Sequence, residues 1–299
     1  MWGGRALEGF LGRKLPGTTP IGESWELVDR PEAQSVVAGG PWAGKTLREL
    51  MAAHGAEIMG PNWPQHRPFP ILVKWLDCRE RLSVQVHPPA SVAQKLGGEP
   101  KTENWYFAQT DAGAAVYAGL KPGVTREGFE RGIAAGTVDQ CLIRLAVREG
   151  ESLLIHSGTM HAIDAGNVIL EIQQNSDTTY RVYDWGRAGL DGKPRALHVR
   201  ESLECLSANT APPPRPVRGA GVLAQCAEFT IRRVELRAGE RLAFAAGGEP
   251  RILSIVSGEL ENGATLRRGD NILLPFAGEY SFQARSTAAV LVSEGFFTR

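Results

Sequence analysis

Apolar and polar positions alternate with a period of two in several short stretches of this chain. In Leu82-Ser83-Val84-Gln85-Val86-His87-Pro88 the alternation predicts a strand with Gln85 and His87 on one face. Leu82, Val84 and Val86 then point the other way, into apolar packing, because successive strand side chains project to opposite sides. Val168–Asn175 repeats the pattern, with Val168, Leu170 and Ile172 on one face and Glu171, Gln173 and Asn175 on the other. Such a polar face either lines a wet cavity or meets solvent, and the pattern taken alone favours solvent. Phe69–Asp77 reads as a buried strand interrupted by Lys74; an isolated lysine in such a run reads more readily as a snorkelling surface residue than as a cation held for a ligand. Lys101–Phe107 predicts a further strand, with Lys101 and Glu103 sharing a face. Ile21–Leu27, Ala114–Gly119 and several Gly-bounded segments from Ser152 to about Tyr183 complete a series of short strands, the signature of a barrel or sandwich.

Helical spacing is scarcer. Leu47, Leu50, Met51 and His54 form a stripe within Lys45–Met59, and Thr46 is placed to cap it. His54 on that stripe reads as a packed or half-exposed histidine. Shorter helices are expected at Ser91–Leu96, at Thr125–Ala135 and from about Val138, the last with a Thr137–Gln140 capping signature. Ala211-Pro212-Pro213-Pro214-Arg215-Pro216 is a stiff, extended linker. Beyond it lie β-type segments at Phe229–Leu236, Arg251–Val256, Asn271–Pro275 and Ala288–Val292, in a region without histidine. The expected division is residues 1–210, a linker at 211–218, and a smaller β domain at 219–299.

Composition narrows the classes. The 33 basic and 33 acidic residues among 299 cancel, so no overall field favours nucleic acid or an anionic membrane. Cys78, Cys141, Cys205 and Cys226 form no CxxC pair, which fits reduced thiols rather than a disulfide framework. No stretch approaches the ~18 apolar residues of a membrane span, and a cytoplasmic location is expected.

The candidate chemistry sits in the polar strand faces. His87, Glu103 and His161 are ligand types that zinc, iron and manganese accept, and Gln85 can add a carbonyl oxygen. Three of the chain's motifs carry these residues, Leu82–Pro88, Lys101–Tyr106 and Ser157–Ala162, and three more stand with them: Trp2-Gly3-Gly4, Ile21–Glu26 and Leu170–Trp185 (LEIQQNSDTTYRVYDW). Together they closely resemble the type I mannose-6-phosphate isomerases in their compact bacterial form, over residues 1–206 in order. The resemblance implies a mainly β, cupin-type fold: a double-stranded β-helix barrel with a few short helices, followed by a smaller, metal-free cupin-like domain. It implies one Zn²⁺ held by Gln85, His87, Glu103 and His161, with other divalent metals possible. It implies interconversion of mannose 6-phosphate and fructose 6-phosphate through a cis-enediol, a small sugar phosphate being the partner. Arg181, Lys101, Glu171 and Asp177 fall on catalytic positions; Lys74, Arg181 and Lys101 fall on substrate-binding ones.

Three positions depart from the family pattern. Pro100 stands where longer members often carry a histidine proposed to help open the sugar ring. Pro88-Pro89 replaces the usual Pro-Asp, and His156 replaces a proline. Two other readings use the same barrel. An iron or manganese oxygenase of this fold uses H-x-H followed closely by Glu, whereas Glu103 lies 16 residues beyond His87. A non-catalytic sugar-phosphate sensor is expected to have lost a ligand or the arginine, and none of these is lost. Trp25, Trp75, Trp105 and Trp185 read as packing residues.

Overall fold

The computed structural model describes every residue except Met1, Gln65, Leu190, Asp191, Ala208 and 297–299. The protein is mainly β, and its chain groups into two compact units. The first comprises Met1–Ser24 and Lys74–Pro216, the second Trp25–Val73 and Val217–Arg299.

In the first unit the alternating segments form two antiparallel sheets rather than one closed barrel. One sheet has the part of strand Ile71–Cys78 from Lys74 onward, Asn167–Gln174, Glu103–Thr110 and Glu151–Ile155 as successive neighbours. The other runs Tyr180–Tyr183, Val84–Val86, His161–Ile163, Ala115–Leu120, Leu142–Ala146. Leu76, Trp105, Phe107 and Ile169 from the first sheet pack with Val116, Ala118 and Ile163 from the second. Burying each of the larger apolar side chains contributes roughly 1.5–3 kcal/mol. The opposite face of the second sheet is covered as well. Val84, Val86, Tyr117, Ala162 and Val182 pack with Phe129 of the Arg126–Ala135 helix and with Leu203 and Cys205 of the Val199–Ser207 helix. With both faces shielded, polar side chains on the inner face are held away from water.

Those inner faces change character along their length. Glu103 precedes Trp105 and Phe107 on one strand, Glu171 and Gln173 follow Ile169 on another, and Lys74 precedes Leu76 on a third. His161 and Ile163 repeat the change on the second sheet. Each strand therefore contributes apolar packing at one end and chemistry at the other. This overturns the solvent reading of the Glu171–Gln173 face: Glu171 is 4% and Gln173 0% exposed. The surface reading of Lys74 fails for the same reason, since it sits in a strand buried at all eight positions.

The second unit is a sandwich in its own right. Strands Gly221–Gln225, Thr230–Leu236, Ala288–Glu294, Arg251–Ser257 and Asn271–Leu274 form one sheet. Arg241–Phe244, Tyr280–Ala284, Glu259–Glu261 and Thr265–Arg267 form the other, and Leu253, Ile255, Leu260, Phe282, Val290 and Val292 fill its core. The grouping differs from the linear division expected at the prolines, because residues 25–73 belong here. The end of the Leu47–Met59 helix accounts for this: Phe276 N–H donates to the Ile58 carbonyl and Ala277 N–H to that of Glu57. Phe69 also packs edge-on against Phe296, with ring centroids 5.6 Å apart.

Thr46 caps the helix as expected, in a reciprocal box with Glu49. Thr137 does not cap with its side chain. The Gln140 N–H bonds to its backbone carbonyl instead. His54 is a packing residue, stacked on Trp42 at 4.9 Å and paired with Glu57 at 3.2 Å. Among the described residues no helix is long and apolar enough to cross a membrane.

Candidate active site and metal centre

Strand register builds the site. Gln85 lies directly opposite His161 on one side and Arg181 on the other, so the three side chains share the inner face of the second sheet. On the first sheet Glu103 pairs with Gln173 and Trp105 with Glu171. His87 follows the Val84–Val86 strand and is 1% exposed; Glu103 and His161 are 1% and 0% exposed.

His87, Glu103 and His161 converge, their ligand atoms all within 4.8 Å of one another. His87 Nε2 is 3.3 Å from Glu103 Oε2, and His161 Nε2 is 3.4 Å from Glu103 Oε1. Both rings are oriented from behind. His87 Nδ1–H donates to the Thr178 carbonyl and His161 Nδ1–H to that of Thr159, each at 2.8 Å. That fixes the tautomer and leaves the Nε2 lone pairs facing the carboxylate.

Burial, reinforced by the Lys101 charge, pushes the His87 pKa down to about 4, and burial likewise lowers that of His161. Burial alone would raise the Glu103 pKa. Lys101 and the two histidines outweigh it and hold the carboxyl well below its usual range. Neutral imidazole lone pairs thus face an ionised carboxylate with no proton to share. His87 Nε2 and both Glu103 oxygens are buried without a hydrogen-bond partner. Lys101 Nζ approaches Glu103 Oε2 to 2.7 Å, but outside hydrogen-bonding directions.

A divalent cation fits this donor set. Tetrahedral zinc with bonds of about 2.0–2.1 Å separates its ligands by roughly 3.3 Å, close to the spacings found here. Gln85 stands beside the pair, with its amide nitrogen 3.3 Å from His161 Nε2. A half-turn of the amide presents its oxygen instead, and the two orientations differ only in which atom is named nitrogen.

Next to the cluster runs a line of alternating charge. Lys101 Nζ lies 3.5 Å from Glu171 Oε1, Lys74 Nζ lies 3.4 Å from the same oxygen, and Glu23 Oε2 lies 3.3 Å from Lys74 Nζ. Burial would lower the Lys74 pKa, but Glu171 and Glu23 outweigh it and raise the value, so the ammonium keeps its charge. Trp105 Nε1–H donates to Glu171 Oε2 at 3.2 Å, so this tryptophan holds an acid in place as well as packing the core.

Asp177 is exposed, in the turn that precedes Tyr180–Tyr183, and its charge also acts on Lys74. The Arg181 guanidinium is turned to Ser83 Oγ (3.3 Å) and the Ala196 carbonyl (3.2 Å). The His156 carbonyl accepts from Thr159 N–H, in the turn whose Thr159 carbonyl orients His161.

Sequence reasoning assigned no role to Glu23, to the Trp105 N–H or to the Thr159 and Thr178 carbonyls. Glu23 lay within a quoted motif, so its signal was present. A backbone carbonyl leaves no mark on residue type.

Residues 1–115 match the model of the phosphomannose isomerase type I catalytic domain. The mannose-6-phosphate isomerase of Streptococcus mutans serotype c (strain ATCC 700610 / UA159) is 38% identical over 289 residues, covering 92% of this chain and 89% of that protein. A mannose-6-phosphate isomerase of Bacillus subtilis (strain 168) is 34% identical over 309 residues, with coverages of 97% and 94%. The crystal structure of a mannose 6-phosphate isomerase from Bacillus subtilis superposes with a TM-score of 0.84 at 30% identity, covering 98% of this chain and 95% of that one. The fold is accordingly cupin-type, as the resemblance implied. With identity above 30% across nine-tenths of its length, the chain belongs to the type I mannose-6-phosphate isomerase family of enzymes.

Proposed function

We propose that this chain interconverts mannose 6-phosphate and fructose 6-phosphate through a cis-enediol at a single zinc ion held by Gln85, His87, Glu103 and His161. Support comes first from the buried lone pairs of His87 and Glu103, which accept no hydrogen bond and converge beside the Lys101–Glu171–Lys74 line. The bound ion would supply Lewis acidity toward the O1 and O2 oxygens of the sugar as negative charge develops there.

The chain's own residues supply the rest. Moving a proton between C1 and C2 requires an acid/base group within reach of both carbons, and Glu171, Lys101 and Asp177 are the candidates. Glu171 is the best prepared of the three, because Trp105, Lys101 and Lys74 fix both its oxygens. Arg181 offers a fork for a phosphate or for enediolate oxygens, and Lys74 adds a point charge.

The proton-transfer route is tested by running the reaction in heavy water. Solvent deuterium should appear at C2 of mannose 6-phosphate and C1 of fructose 6-phosphate. Isomerisation over many turnovers without label at either carbon would contradict the enediol and indicate a hydride shift.

A further inference from the structure

The segment after Tyr180–Tyr183 folds back onto Arg181. His198 N–H donates to the Arg181 carbonyl at 2.7 Å, and Arg181 N–H donates to His198 Nδ1 at 3.3 Å. Between them, the Ala196 carbonyl accepts from the Arg181 guanidinium, whose Nε–H donates to Ser83, two residues before Gln85.

What holds that carbonyl in place is the residue beside it. Arg195 grips Asp184 with two hydrogen bonds, Nε to Oδ2 at 2.7 Å and NH2 to Oδ1 at 2.6 Å. Asp184 is 6% exposed, and its Oδ1 also accepts from Arg187 at 2.7 Å. Arg187 in turn donates to the Arg81 carbonyl. Trp185, between the anchors, adopts a left-handed backbone (φ 59°). Its indole donates to the Leu82 carbonyl at 2.7 Å beneath the stacked Arg81 guanidinium. A non-glycine residue is held in that region only where its surroundings over-determine it. Planar two-point pairing of Arg195 with a buried carboxylate fixes direction as well as distance.

We propose that Asp184 and Arg195 are positioning residues that hold the Arg181 guanidinium at the site, through the Ala196 carbonyl. This rests on the reading of Arg181 as a residue that serves the reaction. Asp184 has a second effect: the Arg195 and Arg187 charges act against that of Arg181, and the Asp184 carboxylate opposes them. Without the Asp184–Arg195 pair, Arg181 keeps its place in the strand but loses the fixed acceptor for its outer nitrogen.

The test is a double-mutant cycle on isomerisation kinetics. Arg195→Ala is the primary variant because its side chain is 32% exposed and outside the core; Asp184→Asn is the second. With Arg181 present, Arg195→Ala should lower kcat/KM about tenfold, since small misplacements of a positioned group cost this much or more. Arg195→Lys should restore little of it, because an ammonium cannot make the two-point contact. In an Arg181→Ala background the further loss should shrink to below about twofold. An equal loss in both backgrounds, or none in either, would overturn the proposal. Near-normal turnover by Arg181→Ala alone would remove the reading of Arg181 itself and the proposal with it, and that single variant, measured in the same cycle, distinguishes the two failures. Melting temperatures separate a fall in activity from a fall in folded protein.

Discussion

Lys74 shows what a single residue can hide. In the sequence it is one charge in an apolar strand, and burial of a lone ammonium is costly enough that the surface reading wins. What reverses this is distant in the chain: Glu171 and Glu23 lie within 3.4 Å, and no local pattern announces them. Removing one member of a buried ion network strands the others, so Lys74→Met should destabilise the protein by about 3 kcal/mol in urea unfolding. An unchanged midpoint would mean that the network contributes nothing.

Asp164 gives a pH-dependent counterpart away from the His87–Glu103–His161 cluster. Burial would raise its pKa, but Arg81 outweighs burial, aided by the Ala165 N–H and Arg144, and the value is lowered. A carboxylate depressed in the folded state adds stability above its unfolded pKa, and that share is lost as pH falls through the folded value. Wild-type and Asp164→Asn melting temperatures should therefore differ most at neutral pH and converge below about pH 4. A gap that stays constant into acid would show that the ion pair is not its source. The polar cluster, by contrast, was legible as residue types: His87, Glu103 and His161 lie with their ligand-type atoms within 4.8 Å of one another.

Elements were readable where pattern and chemistry agreed. The Leu47–Met59 segment has both an apolar stripe and a cap; the cap and the burial of Leu47, Leu50 and Met51 are found, while the helix kinks at His54 (φ −131°, ψ 23°). Thr46→Ala, which removes one half of the capping box, should cost about 1 kcal/mol. Equal unfolding midpoints for the two proteins would deny the cap that value. Thr137 carries the same kind of signature without the bond. Its backbone at φ −114° and ψ 31° is not the extended conformation a capping residue adopts, so the motif alone misleads. Short strands such as Arg241–Phe244 and Glu259–Glu261 were not anticipated, because three or four residues carry too little periodicity to stand out. Within Asn167–Gln174 the alternation was read correctly but its direction was not. A period of two cannot say which face is covered; that was decided by the second sheet, whose Val116, Ala118 and Ile163 share a core with Ile169.

For the molecule as a whole, the prolines at 212–214 fall in a segment without regular structure from Ala211 to Pro216, and a short strand follows at Val217–Arg218. They did not mark how the chain is shared between units, because residues 25–73 return to the C-terminal unit through contacts such as those of Ile58 and Glu57 with Phe276 and Ala277. Contacts of that sequence separation are invisible to local reading. Family membership was legible from motifs strung over residues 1–206, and the relatives at 38% and 34% identity extend it along nearly the whole chain. The remaining question is whether the converging lone pairs of His87, Glu103 and His161 are the working centre. The most direct measurement is isomerisation of mannose 6-phosphate to fructose 6-phosphate by the purified protein, before chelation, after chelation, and after zinc is restored. Activity should vanish with the chelator and return with zinc, in step with one metal ion bound per chain. Full activity in protein shown to be metal-free would contradict a metal centre at this site.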